Sequence, residues 1–441
     1  MLALIGFLMV IFIIYLLMQS KATPAPIFIL VPLIAAAAAG SSFVEVSKYV
    51  KDGVAVTMPI AVLFMFSIIY FALMSDAGMF DPLINFLVKK AGNNVVAITV
   101  ATGIIATIAH LDGSLAATLL VTVPAMLPLY KKLNIRPLIM LVIIGSAMSI
   151  MNLVPWGGPV ARIAAITKVD INQLWHTLIP LQVVGMIIVL AFAAFLGVLE
   201  KRRGAGMQAI DVNAATLTAE EQEQNAAKSA KAEALKRPKL VVFNVFLTIG
   251  VIALMMFTKI PLYAAFMFGL AIALLVNYPN VKEQNARLKA HAGEALSMAT
   301  ILLASGVFLG VISGAKMLDS MAVTFISIIP PFLGPYLHLI MGVFAVPLGM
   351  LLGTDSYFFG LVPVAMSVGS KYGIDPINMA NAMLIGKNYG VLVTPHAATT
   401  FLAIGLAGVE LKEHLKYCMP LLWGLSLVSL FAAILLGIVK I

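Results

Sequence analysis

The sequence predicts an all-α polytopic membrane protein made of two inverted repeats. Each repeat has about five transmembrane helices, one re-entrant hairpin and one interrupted helix. Three observations carry this. First, 62% of the 441 residues are hydrophobic and only 11% are charged, against roughly 45–50% and about 25% in a soluble domain. No soluble core hides that much apolar surface, since even a ~300-residue domain leaves about a quarter of its unfolded surface in water. Soluble enzymes, secreted domains and disordered chains are excluded. Second, apolar runs close to the ~20 residues of a membrane span recur along the chain. Third, the two halves share local landmarks in the same order. The single cysteine, Cys418, permits no internal disulfide and no cysteine-based metal site. The net charge of +9 fits membrane orientation rather than nucleic-acid binding.

The elements follow in order. Residues 2–18 lack the basic start and small-residue cleavage site of a signal peptide, so they read as a permanent span. Further runs cover 26–39, 58–74, 95–110, 115–129, 138–155 and 178–199, then 240–257, 262–276, 299–312, 338–362, 377–393 and 421–441. The charged amphipathic stretches 45–54 and 281–297 read as surface helices at the interface. Residues 201–239, rich in Ala, Glu, Gln and Lys, read as a solvated, partly helical linker. It separates a first repeat, 1–200, from a second, 240–441. With this linker in the cytoplasm, most Lys and Arg fall on the cytoplasmic side, as membrane insertion prefers, and both termini face outward.

The repeat rests on paired residues at one nearly constant spacing. Lys132, Ile135 and Pro137 match Lys371, Ile374 and Pro376, and Pro155 matches Pro395. Val169-Asp170 matches Val409-Glu410, and Asp112 and Ser114 have looser counterparts in Asp355 and Ser356. Hairpins are expected over 95–130 and 338–370, with tips at Asp112-Gly113-Ser114 and Gly353-Thr354-Asp355-Ser356. An odd number of spans per half inverts one half against the other, a hallmark of secondary transporters.

Ionisable groups at membrane depth are costly, at roughly 2.5–3.5 kcal/mol each, and mark function. Here they gather at tips and breaks: His110 and Asp112, Asp355, Arg162, Lys387 and His396. Asn152 to Pro159 cannot form a continuous helix, because Pro155 removes a donor and Gly157-Gly158 favours unwinding. Pro159 suits the start of a half-helix. Asn388 to Pro395 is the counterpart, with Thr394 expected to cap a half-helix starting at Pro395. Such starts aim free N–H groups and a positive dipole end into a shared cavity suited to an anion. The candidate substrate-binding set is Asp112, Gly113, Ser114, Asn152, Trp156, Gly157, Gly158, Arg162, Thr354, Asp355, Ser356, Asn388, Pro395, His396 and Thr399. Arg162 offers a bidentate carboxylate contact and Lys387 a point charge. Asp112, Asp355 and His110 are the candidate proton carriers, and Asp112 and Asp355 also the candidate ligands of a coupling or substrate cation. Trp175 and Trp423 read as interfacial anchors. No metalloprotease, serine-hydrolase, phosphate-loop or dinucleotide motif is present, so no enzyme is expected.

The chain resembles the citrate–metal:proton symporter family (CitMHS). The resemblance rests on His110-Leu111-Asp112-Gly113-Ser114, on Pro124-Ala125-Met126-Leu127-Pro128-Leu129-Tyr130-Lys131, and above all on the string from Met151 through Pro155-Trp156-Gly157-Gly158-Pro159 to Arg162. The second half adds Gly353-Thr354-Asp355-Ser356-Tyr357-Phe358-Phe359-Gly360-Leu361-Val362-Pro363 and Gly405-Leu406-Ala407-Gly408-Val409. It implies a bacterial inner-membrane symporter of citrate, often taken with a divalent metal such as Mg2+ and driven by protons. It also implies a homodimer with scaffold and transport domains drawn from both repeats, moving as an elevator. No resident cofactor is implied, and the partners are citrate, protons and lipid. One departure counts: the family's first tip carries a second Asp and Gly where Ser114 and Leu115 stand here, which brings free citrate or another di- or tricarboxylate into consideration. The rival readings are a sodium-coupled di- or tricarboxylate carrier and, from another class, a passive channel or membrane receptor.

Overall fold

The computed structural model describes residues 1–19, 22–206, 233–258, 260–326, 330–395 and 397–441. The middle of the expected linker and the candidate residue His396 lie outside the described residues. Among the described residues the secondary structure is entirely helical.

The first half comprises α1 (Leu2–Met18), α2 (Pro24–Ala38), α3 (Phe43–Asp76), α4 (Asp81–Ala91) and α5 (Val95–Ala109). A 3-10 turn, His110–Asp112, leads to α6 (Leu115–Lys132), then α7 (Pro137–Met151), α8 (Gly158–Thr167) and α9 (Ile171–Arg202). The second half repeats this order of long and short elements. It has α10 (Val241–Phe257), α11 (Leu262–Asn277), α12 (Val281–Gly314), α13 (Met317–Ile326), α14 (Leu337–Val343) and α15 (Ala345–Leu352). A π-helical segment, Ser356–Leu361, then leads to α16 (Val362–Lys371), α17 (Pro376–Asn388), α18 (Ala398–Ala407) and α19 (Leu411–Leu435).

Among the described residues six helices are long and apolar enough to cross a membrane, and α14 with α15, bent by 66°, makes a seventh if counted as one span. The chain is therefore a multi-pass membrane protein. Five spans per half are not all met by length. The apolar helices α1, α2, α7, α11 and α18 fall short of a full crossing.

The two expected surface helices are corrected. Residues 45–54 and 281–297 are the first turns of α3 and α12, each continuous for 34 residues. At 1.5 Å per residue each is about 50 Å long, against a hydrocarbon core of about 30 Å. A charged stretch changes the solvent of a helix without breaking it. The true starts are capped: Ser42 and Glu45 form a capping box, and the Asn280 side chain accepts from Lys282 N at 2.8 Å.

α3 and α12 pack antiparallel along their length. Asp76, ending α3, meets Arg287 and His291 near the start of α12, while Tyr49 near the start of α3 meets Gly314 at the end of α12. The crossing is made by Gly53 against Gly306 and Gly310. A Cβ at Gly53 would lie 2.0 Å from Gly306 O, and one at Gly310 would lie 2.0 Å from Tyr49 O. The run Gly306, Gly310, Gly314 is the small-residue spacing that lets membrane helices touch backbone to backbone.

The broken helices α7 and α17 start at opposite ends of α9. Arg136, which precedes α7, binds buried Glu200 near the end of α9 through Nε (2.8 Å), Nη2 (2.6 Å) and its backbone N–H (3.1 Å). Asp375 and Asn378, at the start of α17, share a cavity of about 600 Å3 with Thr177 from the start of α9. Both described ends of the linker dock on the Arg136 side. Gly206 N donates to Leu133 O at 2.8 Å, Arg237 N donates to Ala77 O at 2.9 Å, and Lys236 pairs with Asp81 at 2.9 Å.

Candidate functional site

The first tip is clamped onto the first break. Gly113 sits at φ +72°, and a Cβ there would stand 3.2 Å from Trp156 O. Trp156 Nε1 donates to Leu111 O at 2.7 Å. His110 is buried, with Nε2 3.1 Å from Asn152 Oδ1 and Nδ1 2.7 Å from Thr118 Oγ1. Gly157 is required where it stands, because a Cβ would fall 2.5 Å from Asn152 O and 2.9 Å from Val154 O. At the tip, Asp112 Oδ1 accepts from Ser114 N at 2.8 Å, and the Ser114 hydroxyl caps α6 by accepting from Ala117 N. Asp112 is buried, and no cation stands within ion-pairing distance of it among the described residues. Glu294 of α12 is its acidic neighbour.

The first break reaches the second tip through an ion pair. Arg162, one turn into α8, donates from Nε (3.0 Å) and Nη2 (2.6 Å) to Asp355 Oδ1. The sequence suggests separate roles for these two, a substrate carboxylate contact and a cation or proton site, whereas the fold joins them across the two halves. Lys387, at the end of α17, is fully buried. Its Cδ lies 2.0 Å from where a Gly349 Cβ would be, and its Nζ is 3.8 Å from the Cβ position of Gly390. No carboxylate pairs with it among the described residues. Arg162 and Asp355 are its electrostatic neighbours.

The second tip faces the second break across a cavity of about 180 Å3 lined by Thr354, Asp355, Ser356, Thr394 and Ala397, with Leu17 and Pro24 at its side. Among the described residues, Ser356 Oγ and both side-chain polar atoms of Asn388 are buried without a hydrogen-bond partner. Unpartnered buried polar atoms are uncommon in native proteins and call for an explanation. The two breaks also touch, because Ser149 Oγ donates to Asn388 O at 3.0 Å.

Several expectations change here. Thr394 does not cap a half-helix: its hydroxyl donates back to Gly390 O at 2.9 Å, and α18 begins at Ala398 after Ala397, leaving half-buried Pro395 inside the break. Thr399 is half-buried in the first turn of α18, whereas its neighbour Thr400 is buried and donates to Thr394 O at 2.8 Å. His414 was also unforeseen. It is buried and donates from Nε2 to Leu392 O at 2.7 Å, fixing the unwound chain. Trp175 is not an interfacial anchor. Trp175 is buried 6.1 Å from the Trp156 ring, in a cluster with Phe71 and Phe266. Trp423 Nε1 donates to Val343 O at the α14–α15 bend, 2.7 Å away. A tryptophan N–H that is taken out of water finds a partner, here the carbonyl that ends α14. No group of three or more His, Cys, Asp or Glu side chains suited to a metal forms among the described residues.

The profile of the citrate transporter family, CitMHS, matches residues 7–386. The chain belongs to this family. It is thus a transporter and not an enzyme. Similar proteins of Bacillus subtilis (strain 168) match over 100% of both chains: a citrate transporter at 36% identity and a Mg(2+)/citrate complex secondary transporter at 35%. The fold is also shared with the Alcanivorax borkumensis YdaH transporter, whose crystal structure shows an unusual topology. The match has a TM-score of 0.55 at 14% identity and covers 86% of each chain.

Proposed function

We propose that this CitMHS chain is a proton-coupled symporter of citrate, carried alone or with a divalent metal such as Mg2+. The observation that carries the reading is a closed circuit of contacts: first tip to first break through His110, Gly113 and Trp156, first break to second tip through Arg162 and Asp355, second tip to second break across the small cavity, and break to break through Ser149 and Asn388. Buried polar atoms, a buried lysine unpaired among the described residues and irregular backbone meet at one place, as membrane depth tolerates only around a cavity. The full-length relatives supply the substrate class.

Asp112 is assigned to proton coupling together with Asp355, because a buried carboxylate with no cation paired to it among the described residues is costly at membrane depth. A metal ion would travel as cargo, held mainly by citrate's own oxygens. The halves are read as inverted repeats, supported by α7 and α17 starting at opposite ends of α9. The linker side is read as cytoplasmic with both termini outside, in a bacterial inner membrane. The working unit is read as a homodimeric elevator.

The test is uptake of labelled citrate into proteoliposomes under an inward proton gradient, with Mg2+, Ca2+ or EDTA in parallel. Concentrative, proton-dependent uptake is expected. Collapse in EDTA identifies the metal complex as cargo, and persistence identifies free citrate. Sodium-dependent uptake without proton flux, or equilibration without accumulation, would sink the proposal.

A further inference from the structure

Resting on the symporter reading, the geometry points to a specific gate on substrate loading. Arg162 has the guanidinium suited to a substrate carboxylate, yet Nε and Nη2, the two N–H groups of its open edge, both bind Asp355 Oδ1. The rest of the side chain is buried, at 6% exposure, with the guanidinium carbon 5.9 Å from the Phe359 ring centre. A substrate carboxylate reaches this edge only by taking the place of Asp355.

Asp355 is the partner able to leave. Its side chain is 18% exposed, it lines the cavity between second tip and second break, and it follows Gly353 at φ +74°, where the chain turns. Beside it the hydroxyl of Ser356 has no hydrogen-bond partner among the described residues. The charged groups facing Asp355 among the described residues are Arg162 from α8 and Lys387 from α17, both cations. Removing the Asp355 charge without replacing it would leave two buried cations unbalanced.

We infer that Asp355 is an internal competitor of the substrate for Arg162, so that a proton and a carboxylate must load together. A proton from the bulk solution on the loading side adds to the Asp355 carboxylate, and the ion pair to Arg162 opens. A substrate carboxylate then accepts the two freed N–H groups. One negative charge leaves the Arg162 edge as one arrives, so the charge around Arg162 and Lys387 is conserved. Release reverses each step. With Asp355 ionised, an entering carboxylate meets a like charge at the same edge.

The experiment measures proton uptake on binding. Citrate, with and without Mg2+, is titrated calorimetrically into purified wild type and Asp355→Asn at one pH in two buffers of different ionisation enthalpy. The wild type is expected to take up one more proton per citrate than the variant. The variant is expected to bind at least as tightly yet fail to accumulate citrate under a proton gradient. Equal proton uptake, or accumulation surviving in the variant, overturns the inference. If Asp355→Asn does not fold, infrared difference spectra of wild type with 13C-citrate serve instead. A protonated-carboxyl band of the protein should appear on binding and shift in Asp355→Glu; its absence overturns the inference. Wild type that binds no citrate would overturn the symporter reading and this gate together, whereas proton-coupled wild type with an unaltered variant would overturn the gate alone.

Discussion

Replacing Gly310 with alanine would put a methyl carbon 2.0 Å from the carbonyl oxygen of Tyr49. Favourable packing distances are about 3.5–4.0 Å, and the obstacle is helix main chain, which has no rotamer to move. α3 and α12 would have to part by more than an ångström, along a crossing that Gly53 and Gly306 hold equally close. Overpacking of this kind costs about 1–3 kcal/mol. Alanine also gains about 1 kcal/mol over glycine in a helix interior, which would mask part of the clash. Gly293 removes that ambiguity, since it lies in the same helix with nothing within 4 Å of its Cβ position. The propensity gain cancels between Gly310→Ala and Gly293→Ala, so their difference isolates the clash at about 1–3 kcal/mol. Gly314→Ala should fall between them, because its neighbour, the Tyr49 ring, can rotate away. Thermal unfolding of the three variants in detergent, with citrate uptake normalised to folded protein, reads the order directly. Equal melting of Gly310→Ala and Gly293→Ala would refute the backbone contact and the close crossing with it.

Trp156→Phe keeps a ring against Phe71 and Phe266 but deprives Leu111 O of its donor. It should lose about 1–3 kcal/mol, and citrate KM should rise more than melting falls if the clamp orders the tip. Glu200→Gln removes the one acid shared by Arg136 and Arg203. Both arginines are 40% exposed, so the loss should be about 1–3 kcal/mol rather than the 3–5 of a fully buried pair. Urea unfolding in detergent checks it. Asp112→Asn should flatten the pH dependence of citrate KM, and a profile as steep as wild type in both Asp112→Asn and Asp355→Asn would count against carboxylate coupling. His414→Leu leaves Leu392 O only the longer bond from the Thr400 hydroxyl, at 3.2 Å, and should lower the accumulation ratio while expression persists, measured as citrate held at steady state.

The two breaks were legible because proline and paired glycine act on the backbone locally. Pro155 with Gly157-Gly158 ends one helix and starts another in any surroundings, and the structure places α7 and α8 on either side of them. The start of α3 was equally legible, since Ser42-Phe43-Val44-Glu45 spells a capping box. Reading 45–54 as a separate surface helix confused a change of solvent with a change of structure. Thr400 and His414 escaped notice because nothing in their own sequence context distinguishes them from other helix residues. What singles them out is the unwound strand above them, whose carbonyls need donors.

The pairing of Arg162 with Asp355 is the feature that residue counting could not reach, and it alters the electrostatics of the site. The two residues belong to opposite halves and meet only through the packing of α8 against the second tip. Counted separately they suggest an anion site with a carboxylate nearby as a proton carrier. Joined, they cancel, and Lys387 is left as the cation without a carboxylate among the described residues. An uncompensated buried ammonium is expensive, while a transporter gains from a site that is uncomfortable empty and satisfied when loaded. The partnerless Asn388 amide and Ser356 hydroxyl point the same way. On the proposed reading, an arriving carboxylate would complete the charge and hydrogen bonds left open around Lys387 among the described residues.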